Sequence, residues 1–143
     1  MIHLIKLCVG ADHISDLEAW QFRVATERVG AGLPPHPVHQ TRQTPKRADE
    51  LLDGGSIYWV IRGVIQVRQP ILDIHTGTDR NGRAFCELEL DPGLVPTEAQ
   101  GRKAFQGWRY LKPEDAPADL TGSSTGQDVP PELSIALKDA GVW

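Results

Sequence analysis

The chain has 143 residues, 40% of them hydrophobic and 24% charged, and a formal net charge of −4 at pH 7. This length accommodates one domain with a sizeable core, so the fold requires neither a metal nor a disulfide, and Cys8 and Cys86 are expected to be small buried thiols. No apolar run reaches the roughly 18 residues of a membrane span, and the N-terminus lacks the features of a secretory signal, so we expect a cytoplasmic protein that does not bind nucleic acid indiscriminately.

The N-terminal part predicts a strand followed by an amphipathic helix. Residues 2–9 are apolar on both faces, which is typical of a strand covered on both sides. Ser15 and Glu18 form a capping-box pattern that predicts a helix beginning at Asp16. Gly30 is the expected terminator of that helix.

The next segment predicts polar and irregular structure before a short helix. Three prolines make residues 32–37 a loop, and residues 38–44 read as a polar strand that exposes side chains including His39. Thr44 and Pro45 provide a cap and a first-turn proline for a helix over residues 46–52.

The most apolar stretch, residues 54–74, predicts two central strands. Residues 56–62 are apolar on both faces, as expected of a strand inside the domain. Gly63 marks a bulge or close turn, and residues 64–69 alternate like a second strand. Pro70 removes a hydrogen-bond donor, so we expect a bend or a sheet edge there.

The C-terminal half predicts further strands and an acidic arm. Asn81 and Gly82 indicate a hairpin turn, and the predicted strands or extended segments are 84–91, 94–100 and 105–111. From residue 113 onward one lysine stands against six acidic residues, and the composition favours a surface arm followed by a short helix after Pro130 or Pro131. Trp143 is expected to dock on the domain or on a partner.

The order of these elements predicts an α+β fold. We expect a small, curled, mostly antiparallel β-barrel over residues 1–112, with one N-terminal helix and one short helix. Residues 113–143 form the predicted acidic arm with its C-terminal helix.

Three groups of side chains are candidates for binding an anion or a nucleic acid. Cations at the start of the short helix oppose the helix dipole and invite an anion. A second pair lies on the strand after Gly63, and a third group near residue 108 combines cations that bind phosphate with rings that stack on bases. Solvated basic faces and core aromatics are the alternative interpretations. The candidates are Arg42, Lys46, Arg47, Arg68, Gln69, Arg102, Trp108, Arg109 and Tyr110.

Evidence for catalysis or a metal is weaker. Asp73 and Glu98 are the acids to consider for proton transfer. His36 and His39 could supply two metal ligands, but no further ligand has matching spacing, and a dyad of His75 with Cys86 lacks an orienting third group, so we predict no metal or cofactor. The sequence contains no phosphate-binding loop, dinucleotide fingerprint or nucleophile elbow.

Several segments together resemble the bacterial family known as domain of unknown function 1489. They are residues 4–10 (LIKLCVG), 45–47 (PKR), 51–60 (LLDGGSIYWV), 68–69 (RQ), 94–97 (LVPT) and 105–111 (FQGWRYL). The resemblance covers the chain to about residue 120 and implies no activity. The order of short helix, Gly-Gly, strand, glycine and strand is also similar to the entry into the barrel of PUA-like domains, which include the PUA, ASCH and EVE modules. That similarity implies binding of RNA or modified bases in a basic and aromatic cleft.

The sequence therefore predicts a protein that binds RNA or a nucleotide-like anion. One alternative is an enzyme acting on a small anionic or nucleoside substrate, with Asp73 or Glu98 as acid or base. Another is an interaction module that uses the acidic arm and Trp143. The sequence leaves the oligomeric state open.

Overall fold

The structure, a computed structural model, describes residues 1–103 and 105–120. These residues form a mostly β structure with seven strands and two α-helices, a mixture that agrees with the predicted α+β class. None of the described helices is long and apolar enough to cross a membrane. The predicted C-terminal helix and the position of Trp143 lie outside the described residues. The elements are β1 (His3–Leu7), α1 (Ile14–Gly30), β2 (Val38–Thr41), α2 (Ala48–Leu52), β3 (Ser56–Ile61), β4 (Val64–Thr78), β5 (Ala84–Leu90), β6 (Val95–Gly101), β7 (Trp108–Leu111) and a 3-10 turn (Pro113–Asp115).

The strands form one sheet in the order β2-β5-β4-β3-β1-β7, and β6 pairs with β4 outside this path. The pairs are antiparallel except β1 with β3, so the mostly antiparallel prediction is confirmed. The predicted barrel is wrong, because β2 and β7 end the path without pairing with each other in the described chain. Each has only four residues and pairs with one neighbour, so the described sheet is open.

The long strand β4 joins the two parts of the sheet. Its first half pairs with β3 and β6, and its second half pairs with β5. Pro70 lies opposite Ser56 at the end of the β3 ladder, and its carbonyl accepts the N–H of Asp91 at 3.0 Å. β4 therefore continues through Pro70. This residue, which has no N–H, lies where the partner of β4 changes from β3 to β5.

The two central strands predicted from the apolar stretch are confirmed. All six residues of β3 are buried. Arg62 (φ 54°) and Gly63 (φ 77°) form the two-residue connection to β4, and positive φ at both positions is typical of the type I′ turn of a hairpin. Opposite faces of β3 contribute to two hydrophobic clusters, of which the larger contains Trp59 and the smaller contains Tyr58.

Helix α1 begins two residues before the predicted start. His13 is its N-cap, and the Asp16 carboxylate accepts the N–H groups of Asp12 and His13 at 2.9 and 3.0 Å. The predicted cap formed by Ser15 and Glu18 is therefore wrong. Asp16 lies three residues after the His13 cap, just as Glu18 lies three residues after Ser15. The local sequence pattern is therefore compatible with both helix starts.

The first residues of the predicted arm lie against β6. The N–H of Glu98 donates to the carbonyl of Ala118 at 2.8 Å, and Thr97 forms an antiparallel bridge with Asp119. The Asp119 carboxylate accepts two hydrogen bonds from the Arg68 guanidinium at 2.8 and 2.7 Å. Residues 113–120 are thus held on the domain by backbone pairing and one ion pair.

Candidate functional site

A cavity of about 550 Å³ lies between the end of β1 and the first turns of α1. Three rings contribute to its wall, together with two cations, a thiol, two acids and several apolar residues. The ring-bearing, charged and thiol residues of this wall are Lys6, Cys8, Asp12, Asp16, Trp20, Arg23, His39 and Trp59. Its volume falls within the range of small-molecule sites.

The sheet register brings the ring-bearing strands together. Lys6 on β1 lies between Trp59 on β3 and Trp108 on β7, so the three side chains share one face of the sheet. His39 on β2 lies opposite Leu88 of β5, which is fully buried in the larger hydrophobic cluster. Trp20 reaches the same cluster from α1. Four separate elements therefore build this wall.

The imidazole of His39 is held between two indoles. Its ring packs edge-on against Trp20 and Trp59, with centroid distances of 5.7 and 5.1 Å. Both ring nitrogens are buried and have no hydrogen-bond partner among the described residues. Burial, assisted by the charge of Lys6, lowers the pKa of His39 to about 4. The ring is thus neutral at pH 7 and carries one N–H donor and one acceptor that the surrounding side chains do not satisfy.

The charged and nucleophilic groups of the cavity differ in whether they already form ion pairs or hydrogen bonds. Burial lowers the pKa of Lys6, and its ammonium forms no ion pair within the described chain, nor does Arg23. The Asp16 carboxylate is committed to the two backbone N–H groups of the helix cap. Burial raises the pKa of the Cys8 thiol to about 11, so Cys8 is not an activated nucleophile.

Three of the predicted contacts meet on the same face of the sheet as this cavity. The Arg47 guanidinium lies 5.4 Å from the Tyr110 ring centre, and its charge pairs with Glu50 at 2.7 Å. Trp108 packs edge-on against Tyr110 at 5.0 Å, and its indole N–H donates to the carbonyl of Gln43 at 3.1 Å. The two rings are partly buried and tie β7 to the segment before α2, so much of their surface is engaged by the fold.

Arg68 and Gln69 both form hydrogen bonds with other side chains of the domain. Arg68 is paired with Asp119 and also donates to the Ser56 hydroxyl at 2.9 Å. Gln69 is fully buried, and its amide exchanges hydrogen bonds with Gln21 at 2.6 and 2.8 Å. The expectation that Gln69 faces a ligand is therefore wrong, because a satisfied amide network places it in the core.

The remaining predicted cations lie elsewhere. Arg109 faces away from Trp108 and Tyr110 because neighbours in a strand alternate, and its guanidinium lies 5.8 Å from the Phe105 ring centre. Arg102 lines a shallow cavity with Arg109 and donates to the Gln100 amide. Arg42 pairs with Asp79 at 3.0 Å, and Lys46 is exposed. The nine predicted contacts thus do not share one cleft.

Neither candidate acid lines the cavity between β1 and α1. Asp73 is exposed on the outer half of β4, and Glu98 is exposed on β6. The sequence predicts that His39 is exposed, whereas in the structure the residue is partly buried and both nitrogens of its ring are buried. The alternation of Cys86, Leu88 and Leu90 in the neighbouring strand is the signal for that burial, and it became usable only once the pairing of β2 with β5 was known.

Comparisons with curated proteins and with solved structures give no match. The family model described as "Protein of unknown function (DUF1489)" matches residues 4–143. The match extends beyond residue 120, where the resemblance read from the sequence ended, and includes the acidic segment. The chain therefore belongs to the DUF1489 family.

Proposed function

We propose that the protein binds a nucleotide-like ligand, either free or as part of an RNA strand, in the cavity between β1 and α1. The observation that carries this proposal is the neutral imidazole of His39, unpartnered between Trp20 and Trp59. Leaving a buried donor or acceptor unsatisfied costs roughly 1–3 kcal/mol. A bound molecule that hydrogen bonds to both ring nitrogens removes this cost.

A heteroaromatic base is the ligand chemistry that fits these groups. Its edge offers donors and acceptors that can pair with an imidazole nitrogen, and its faces pack against indoles. Lys6 and Arg23 line the same cavity without ion pairs to described residues, and they supply positive charge for a phosphate. Asp12 limits the net positive charge, which favours one nucleotide over a long phosphate backbone.

We propose that the Trp20 indole moves when a ligand contacts His39. Both imidazole nitrogens are buried, and of the two indoles that cover the ring, Trp59 is only 1% exposed. Trp20 is partly exposed on α1 and can rotate without opening the sheet. Displacement of this indole therefore admits a base to the imidazole and gives binding a fluorescence signal.

We further propose that the fold is an open relative of the PUA-like arrangement. The support is the order of α2, Gly54-Gly55, β3, a glycine turn and β4. This part of the proposal rests on element order, and the ligand hypothesis does not depend on it.

The test titrates the full chain with nucleoside monophosphates, the matching nucleosides and short single-stranded RNA, using calorimetry and tryptophan fluorescence. We expect saturable binding of at least one nucleotide, at least a tenfold loss in His39→Phe, and in Lys6→Met a weaker affinity whose salt slope falls by about one unit. The matched control is Arg109→Gln, because Arg109 lies on the opposite face. Salt-independent binding, binding lost in the control but kept in His39→Phe, or no binding would refute the proposal.

A further inference from the structure

A cluster of metal-ligating side chains lies on the outer face of β4 and β5, away from the cavity of His39. Asp73 is directly opposite Glu89 in the register, and His75 is two residues further along β4 on the same face. The His75 Nε2 atom lies 2.9 Å from Glu89 Oε1 and 3.9 Å from Asp73 Oδ2. One donor atom from each of the three residues falls within 4.8 Å of the others.

The carboxylate of Glu89 is also held from its other side. His36, from the proline-rich loop before β2, places Nδ1 2.6 Å from Glu89 Oε2. Glu89 is only 15% exposed, whereas Asp73 and His75 are 55% and 50% exposed. A fixed central carboxylate is thus flanked by two accessible donors and oriented by a second imidazole, as outer partners orient the ligands of metal sites.

We propose that Asp73, His75 and Glu89 form a binding site for a divalent transition-metal cation, with His36 positioning Glu89. One imidazole and two carboxylates are a ligand set that Zn²⁺ and related cations accept, and protein bonds to Zn²⁺ are about 2.0–2.2 Å long. Donor atoms that all lie within 4.8 Å of one another can surround such an ion with small side-chain adjustments. The imidazole disfavours Mg²⁺ and Ca²⁺, which prefer oxygen ligands.

The electrostatic environment favours a cation. His75 is also opposite Glu87 in the register, so three carboxylates act on the His75 imidazole. The positive charge of Arg28 also interacts with Glu89, but Arg28 Nε donates its hydrogen bond to the carbonyl of Pro34. The competing explanation is a network of ion pairs between protonated histidines and Glu89, which needs no metal.

The test uses the metal-free full chain titrated with ZnCl₂ in a chelator-free buffer at pH 7.5, by calorimetry and by competition with a chromophoric chelator. We expect one high-affinity site per chain, a loss of affinity of at least tenfold in His75→Asn and in Glu89→Gln, and a smaller loss in His36→Asn. Asp73→Asn should disturb the fold least, because Asp73 is exposed, and it should also weaken Zn²⁺ binding. The matched controls are His13→Asn and Glu98→Gln, which change the same residue types on other elements.

A structural readout separates metal coordination from ion pairing. In a ¹H–¹⁵N NMR spectrum of the histidine side chains, saturating ZnCl₂ should change the chemical shifts of the ring nitrogens of His75, and excess MgCl₂ should not. Absence of a stoichiometric site, equal losses in the control variants, or retention of affinity in both Asp73→Asn and His75→Asn would overturn the proposal. None of these outcomes depends on nucleotide binding, so the two proposals fail separately.

Discussion

Replacing His39 with phenylalanine should stabilise the protein while removing the proposed ligand contact. The substitution keeps an aromatic ring between Trp20 and Trp59 and removes two buried nitrogens that have no partner. Most substitutions at buried positions destabilise a protein, so a gain in stability at this position is a specific expectation. It follows from the unsatisfied imidazole and from the adjacent space of about 550 Å³ that can accept the larger ring.

The magnitude follows from two separate contributions. Removing the unsatisfied nitrogens returns roughly 1–3 kcal/mol each, reduced by repacking, so we expect a net gain of about 1–3 kcal/mol at pH 8. The second contribution depends on pH, because the pKa of His39 is lowered to about 4 in the folded chain and is about 6.5 in the unfolded chain. The unfolded state therefore binds a proton first, and the wild type loses stability as the pH falls from 6.5 towards 4. By pH 5 this loss is about 2 kcal/mol, and the phenylalanine variant lacks it.

Thermal and urea unfolding of both proteins at pH 8 and pH 5 measure these contributions. The variant should melt higher by roughly 2–4 °C for each kcal/mol gained, and its advantage should grow at pH 5. Comparing the two proteins at each pH cancels the other titrating groups, including His3 and His75. A variant that melts lower than the wild type at pH 8, or an advantage that does not grow at pH 5, would show that His39 has partners in solution.

Four further substitutions test the fold. Gly55→Ala should destabilise by at least about 3 kcal/mol, because the new Cβ would lie 2.3 and 2.4 Å from two backbone carbonyl oxygens, whereas Gly30→Ala, in open space at the end of α1, should be neutral or stabilise by up to about 1 kcal/mol. Asp119→Asn should cost about 2 kcal/mol in urea unfolding, since it weakens a partly buried bidentate pair. Arg62→Asn should raise the melting temperature by a gain of roughly 0.5–1 kcal/mol, because φ at this position is 54° and asparagine tolerates that conformation.

Local patterns in the sequence predicted the centre of the fold. The apolar stretch from Ser56 onward, the turn at Gly63 and the hairpin at Gly82 all depend on neighbours within a few residues, and all three are present in the structure. Gly82 has φ of 76°, as the predicted hairpin turn requires. These features are determined by side-chain alternation and backbone conformation, which a single sequence contains.

Contacts between distant segments could not be predicted in the same way. Arg68 reads as a free cation until Asp119, 51 residues later, is brought beside it. Gln69 reads as a polar surface residue until Gln21 from α1 satisfies its amide. The continuation of β4 through Pro70 likewise depends on β5 replacing β3 as its partner. Each error arose where a tertiary partner decided the environment of a residue whose local pattern was ambiguous.

The contrast between Gln69 and His39 shows that the unsatisfied imidazole does not reflect generally poor hydrogen bonding in the core. Gln69 is fully buried, and its side chain bonds to Gln21, to the indole N–H of Trp59 at 3.2 Å and to the carbonyl of Asp91 at 2.7 Å. An indole has one donor, so Trp59, although it packs against His39, has no hydrogen bond left to give it. The same indole thus completes one polar network and leaves the neighbouring imidazole without a partner. The missing hydrogen bonds are thus specific to the His39 side chain, as expected of a residue whose proposed hydrogen-bond partner is a ligand.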